Sequence, residues 1–345
     1  MNKTLLNSLL TSLTIVSGFS TASAADLTDS FLVMFKPLPT QADTPDNELT
    51  LARTDLGRML YYDTRFSKSQ TIPCNSCHML DKYGTDNAAF STGHKGQKGG
   101  RSAPTVYNAA LHIAQFWDGR APTVEEQAKG PVLNPIEMAM PDKDHVLKVI
   151  KSIPGYTDAF AKAFPGEPDP INYDNFGKAV GAFERKLLTP ARWDDYLKGN
   201  KEALTAEEKK GFEAFVTVGC VTCHNQAGVG GHMYQKLGLA KPWPELKDTG
   251  RFQATKVESD KFFFKVPSLR NITETGPYLH DGSVTDLPTM VKMMGAHQLG
   301  RELTDEQTTG IIAFLKALKG DLPADYIKMP KLPESGPDTP KPDDS

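Results

Sequence analysis

The chain has 345 residues, 39% of them apolar, with 28 Gly and 25 Pro, which is enough for two domains of ordinary size joined by many turns. Its formal charge of −3 is mild and no basic run marks a phosphate-binding surface, which argues against nucleic acid as a partner. In chain order, Met1-Asn2-Lys3, the apolar stretch Leu5 to Phe19 and Ala22-Ser23-Ala24 form the charged, apolar and small-residue zones of a secretory signal peptide cut after Ala24. That predicts a periplasmic protein, and no later segment carries enough consecutive apolar residues to span a bilayer. Leu56, Met59 and Leu60 lie at helical spacing just ahead of Cys74-Asn75-Ser76-Cys77-His78. From Ser91 to Pro141 the chain is rich in Gly, Pro and Asn with little periodicity, and long ordered loops are predicted. Phe176, Val180, Phe183 and Leu187 predict a helix that stops at Pro190. Thr205-Ala206-Glu207-Glu208 is a capping box leading into Phe212 and Phe215, again just ahead of a Cys motif, Cys220-Val221-Thr222-Cys223-His224. Thr304 with Gln307 caps a helix carrying Ile311, Ile312, Leu315 and Leu318, with Gly320 as its expected terminator. The Pro- and Asp-rich end, Lys331 to Ser345, reads as a mobile tail.

An exported chain with four Cys would by default form two disulfides. Here all four fall in two copies of C-x-x-C-H, the haem c attachment signature. Two thiols at this spacing reach the two vinyl groups of one porphyrin, and the adjacent imidazole is carried beneath the iron. A redox dithiol would not need His after both pairs, and zinc ribbons place their Cys pairs about 15–20 residues apart. Cys74, Cys77, Cys220 and Cys223 are therefore read as attaching two haems, with His78 and His224 as iron ligands. The motifs sit about one domain length apart, which suggests one haem per domain.

The order of motifs resembles that of the bacterial di-haem cytochrome c peroxidases. The similarity runs from about Leu51 to Leu332 through Gly93-His94-Lys95, Ala114-Gln115-Phe116-Trp117-Asp118-Gly119-Arg120, Glu126-Gln127-Ala128, Asn134-Pro135-Ile136-Glu137-Met138, Val266-Pro267-Ser268-Leu269-Arg270-Asn271, Tyr278-Leu279-His280-Asp281-Gly282 and Met294-Gly295-Ala296-His297-Gln298-Leu299-Gly300. It implies a mainly α protein of two cytochrome c-like haem domains with long ordered loops and little sheet. The expected division is a signal peptide over 1–24, an N-terminal peroxidatic domain over 25–190 onto which about 322–333 pack, a C-terminal electron-transfer domain over 191–321, and a mobile tail over 334–345.

Several roles are carried over by the resemblance alone. His94 becomes a removable distal ligand of the first haem, Glu137 the acid–base residue, Gln127 a second polar group of the pocket, and Phe116 its shield. Taken by themselves, a His in a Gly-rich loop, an exposed Glu and a helical Gln are ordinary surface residues, and Phe116 is equally suited to plain core. Met294 is selected as the second haem's other ligand, leaving Met290 and Met293 to core packing. Trp117 falls between the haems, as a transfer path or simply as a buried Trp at a domain interface. Thr275 and Pro277 match carbonyl donors to a calcium ion whose side-chain ligand position holds Ser102 where Asn was expected, a poorer ligand for a hard cation. His280 is read as structural. The implied activity is reduction of hydrogen peroxide with electrons from a small cytochrome c or cupredoxin, by a homodimer. A non-enzymatic di-haem carrier and an enzyme oxidising a protein tryptophan are the alternatives. The carrier would not need His94, Gln127 and Glu137, and the tryptophan oxidiser uses Tyr where this chain offers Met294.

Overall fold

The structure, a computed structural model, describes residues 30–345; the expected signal peptide lies outside the described residues. Ten α-helices are described: α1 (Leu51–Tyr62), α2 (Val124–Leu133), α3 (Lys143–Lys151), α4 (Pro154–Ala163), α5 (Tyr173–Glu184), α6 (Arg192–Leu197), α7 (Ala206–Val218), α8 (Phe252–Thr255), α9 (Leu287–Met293) and α10 (Asp305–Ala317). Sheet among the described residues is limited to β1 (Tyr234–Lys236) paired antiparallel with β2 (Phe263–Lys265). A mainly helical chain with little sheet is thus what forms.

The starts of α7 and α10 follow from their sequences. Thr205 accepts from Glu208 N while Glu208 reaches back to the cap, and Thr304 and Gln307 do the same. The ends are less regular. Helix α10 stops at Ala317, and Gly320 has another use: a Cβ there would lie 2.2 Å from Thr189 O, so Gly320 permits the bridge to Ala191. Helix α5 ends at Glu184, six residues before Pro190 (190 − 184), and Leu187 is buried beyond it. The stretch read as loops contains α2, whose Val124, Ala128 and Val132 are buried on one face. Gly130 and Pro131 within it blur that pattern in sequence.

Buried side chains gather into two main clusters. The first joins α1 to α5 through Leu56, Tyr61, Phe66, Tyr156, Phe176 and Phe183, with Leu322, Tyr326 and Ile327 packed on it. The second joins α6, α7 and α10 through Trp193, Phe212, Phe215 and Phe314, whose rings meet at centroid distances of 4.9–5.1 Å for Trp193–Phe212, Trp193–Phe314 and Phe215–Phe314. Phe35 belongs to the second cluster, not the first, although it precedes α1.

In both units the helix ahead of the Cys motif carries a glycine at its closest crossing. A Cβ at Gly57 of α1 would lie 1.9 Å from Ala179 O of α5, and one at Gly211 of α7 would lie 1.9 Å from Gly310 O of α10. These paired contacts set where each motif emerges. The end of the chain, for which composition suggests mobility, runs along the first unit: Arg65 Nη2 donates to Pro333 O, Gln70 Nε2 to Pro340 O and Lys68 Nζ to Ser345 O, at 2.9, 2.7 and 2.9 Å.

Candidate active site

Both Cys motifs form the same local shape. Each begins as a short 3-10 turn, Cys74–Ser76 and Cys220–Thr222, and in each the His N–H donates to the first Cys carbonyl at 3.0 Å. All four Cys are free, and burial pushes Cys74 and Cys220 up to about 12, so these thiols are neutral. Among the described residues no three His, Cys, Asp or Glu side chains converge as a metal cage, which leaves no four-Cys zinc site.

His224 is half-buried with its Nδ1 enclosed and unpartnered, and desolvation of the ring lowers it to about 4. It opens, with Cys220, Cys223, Met290 and Met294, onto a cavity of about 1770 Å³, its mouth included. Two neutral thiols, a neutral imidazole and a thioether around a largely apolar void fit a haem, which brings four nitrogen ligands of its own and asks the protein only for axial groups. Met294 opens a π-helical turn, Met294–Gln298, a distortion frequent at functional sites. Met290 lines the same cavity and Met293 does not, so geometry separates Met293 but not Met290 from Met294.

The first motif has the matching donors. His78 is half-buried, with Nδ1 3.4 Å from Gly84 O, and Tyr61 OH donates to the His78 carbonyl at 2.7 Å. His94 is 5% exposed, yet neither ring nitrogen has a partner. A buried imidazole normally has a hydrogen-bond partner or another bound group, so these two nitrogens call for one. Its loop is a closed hairpin: Thr92 bridges Lys98, and Lys95 takes φ 57° at the tip. His94 N donates to Glu137 O at 2.9 Å, and a Cβ on Gly93 would lie 2.0 Å from Ile136 O. Only glycine allows the His94 loop and the Glu137 loop to lie this close.

Glu137 is half-buried in a pocket of about 650 Å³, mouth included, with Phe116, Arg120, Glu126 and Asn134 among its walls. Burial raises the proton affinity of its carboxyl above the usual range, and Arg120 pulls the other way. Phe116 is held at φ 66°, a left-handed conformation that a bulky side chain adopts only when its surroundings impose it. The Arg120 guanidinium lies 3.4 Å from the Phe116 ring centroid and pairs with Asp118 at 3.0 Å. Arg120 was visible in sequence only as the end of the Trp-Asp-Gly-Arg run, with nothing to mark its position in the pocket. Gln127 lies on α2, half-buried, and is not among the residues lining this pocket.

Between the units, Trp117 Nε1 donates to Ser102 O at 2.9 Å and its ring meets His280 edge-on at 6.3 Å. Arg101 bridges Asp118 and Asp248 at 2.6 Å each. Ser102, Thr275 and Pro277 all face the large cavity, and Asn87 Nδ2 donates to the Glu274 and Gly276 carbonyls that frame Thr275.

Residues 51–202 match the model of a family described as di-haem cytochrome c peroxidase. The cytochrome c551 peroxidase of Pseudomonas aeruginosa is 42% identical over 328 residues, covering 93% of this chain and 94% of that protein. The protein of the same name from Nitrosomonas europaea is 46% identical over 306 residues, 88% of this chain and 89% of its own. A solved MauG-like protein associated with microbial copper homeostasis superposes on 86% of this chain and 97% of its own with a TM-score of 0.76, at 28% identity. Likeness of this extent, over a chain with two C-x-x-C-H turns, the second of which opens on haem-compatible walls, means that the chain belongs to the di-haem cytochrome c peroxidase family.

Proposed function

We propose that this chain is a peroxidase that carries two haems, attached at Cys74 and Cys77 and at Cys220 and Cys223, and reduces hydrogen peroxide to water. The observation that carries this reading is the backbone link between the loop of His94 and that of Glu137, beside a pocket open to a small substrate. Haem supplies redox-active iron at both centres and a site for peroxide at the first.

In this reading His78 and His94 would hold the iron at the first centre, and His94, carried on its hairpin, would be the removable one. Glu137 takes the proton from one peroxide oxygen and delivers it to the departing one; its burial suits a carboxyl that must both accept and release a proton. Phe116 with Arg120 over its ring narrows the entrance. Gln127 has a role at this centre by resemblance alone, since it does not line the pocket of Glu137. Glu137 and the strained Phe116 distinguish the chain from a carrier that only relays electrons.

At the second centre His224 and, by resemblance, Met294 would hold the haem iron, and Trp117 would lie on the route between the two. Ser102, with the carbonyls of Thr275 and Pro277, holds a calcium ion. The donor is a small cytochrome c or cupredoxin, the working form is a homodimer, and the chain is exported to the periplasm. Among the described residues no helix is long and apolar enough to cross a membrane.

The test is peroxide consumption by the haem-loaded protein with a reduced small cytochrome c, in the fully oxidised and half-reduced states. Turnover that rises on half-reduction is expected. Negligible turnover in both states would leave a carrier. The Met assignment has its own check by redox titration of the second haem. Met294→His is expected to lower its midpoint markedly on a scale where axial ligation spans about 0.8 V, while Met290→Leu leaves it nearly unchanged. The reverse pattern would transfer the role to Met290.

A further inference from the structure

Lys265 ends β2 and is 7% exposed, with its backbone N–H donating to Trp117 O at 2.8 Å. Its ammonium has no carboxylate within 4.0 Å among the described residues; the hydrogen-bond partner is His112 Nδ1 at 3.1 Å. Since the ammonium can only donate, His112 carries its own proton on Nε2. That Nε2 is buried and has no partner. The position of His112 is built in: a Cβ on Gly231 would lie 2.2 Å from its Cδ2.

Both side chains line the large cavity that His224 and Met294 face. Lys236, Lys265, His112, His224 and His280 contribute to that wall, and not one Asp or Glu does. Burial lowers Lys265 to about 8, so most of its population still carries the charge at neutral pH. A buried cation without a counter-charge is costly, and a lysine ammonium on the wall of a largely apolar cavity free of acids is arranged for an anion that the chain does not supply.

Resting on the reading that a haem is attached at Cys220 and Cys223, we infer that Lys265 is the seat of a carboxylate of that haem, with His112 as the positioning residue that holds the ammonium toward the cavity. The pairing would remove the cost of the lone charge and help orient the haem in the cavity that His224 and Met294 line. It also places a fixed cation beside a centre that must hold an electron. A neighbouring positive charge favours the reduced form, so Lys265 raises the potential of the electron-storing haem.

The experiment is a spectroelectrochemical titration of the haem-loaded full chain, after haem content has been measured. Two haems per chain are expected in the unaltered protein, in Lys265→Met and in Lys265→Gln. In both variants the reduced-to-oxidised ratio of the second haem at fixed potential should fall at least tenfold, 59 mV for one electron. Lys265→Arg, which keeps the charge, should shift it less than threefold. A structure of the haem-loaded unaltered protein is a check that needs no variant: a haem carboxylate oxygen belongs about 2.7–2.9 Å from Lys265 Nζ. Full haem content with an unshifted second midpoint, or with the shift confined to the haem at Cys74 and Cys77, overturns the assignment and leaves the peroxidase reading standing. Absence of haem from the unaltered protein overturns both.

Discussion

Glu137→Gln is expected to reduce peroxide turnover by about 10²–10⁴-fold, the range over which a positioned acid–base group acts, while both haems remain attached with unchanged absorption spectra. The amide has nearly the shape of the carboxyl, so the pocket formed with Phe116, Arg120 and Asn134 keeps its form. What it loses is the capacity to take and return a proton. Because His94 bonds to the backbone carbonyl of residue 137 and not to its side chain, the substitution leaves the link between the two loops intact. Glu126→Gln is the matched control. Glu126 lines the same pocket but is exposed and pairs with Lys129 at 2.8 Å, so neutralising it changes the pocket's charge without touching the proton route. Turnover by Glu137→Gln within threefold of the parent, or an equal loss in Glu126→Gln, would remove Glu137 from the chemistry.

How much of this was legible in sequence depended on whether the determinant was local. The C-x-x-C-H motifs could be read because the cofactor's own dimensions fix the spacing, and the capping boxes before α7 and α10 because both partners lie within four residues. Helix α2 was missed because Gly130 and Pro131 weaken its pattern while Ala128 and Val132 are anchored by contacts made elsewhere in the chain. Gly320 was read as a helix end, whereas the carbonyl of Thr189, far away in sequence, determines the need for glycine. Gln127 and Met294 came from resemblance, and the geometry does not bring Gln127 into the pocket or separate Met294 from Met290. Lys265 in Lys261-Phe262-Phe263-Phe264-Lys265 reads as an ordinary strand-end lysine. Only its tertiary surroundings show that no acid meets it.

The Asp194–Arg270 pair should be the largest single polar determinant of stability, with Asp194→Ala losing about 3–5 kcal/mol. Both side chains are wholly buried, at 2.8 Å. The two Asp194 oxygens also accept the backbone N–H groups of Leu38 and Ala191, both at 2.7 Å, and Arg270 Nε donates to Ala227 O at 2.6 Å. One ion pair thereby joins the segment before α1, the start of α6 and the loop after His224. Removing the acid leaves a guanidinium buried with a single carbonyl, whereas removing the base leaves a carboxylate that still accepts two N–H groups. Arg270→Met should therefore cost less than Asp194→Ala, and the double variant less than the sum of the two. Denaturant unfolding of the haem-loaded protein, followed at the second haem's absorption, measures all three. Each kcal/mol should also lower the melting temperature by about 2–4 °C for a unit of 150–250 residues. If Asp194→Ala lost less than 1 kcal/mol, the buried charge would have to be relieved by water reaching the loop at Ala227, and the pair could not be the determinant that its complete burial implies.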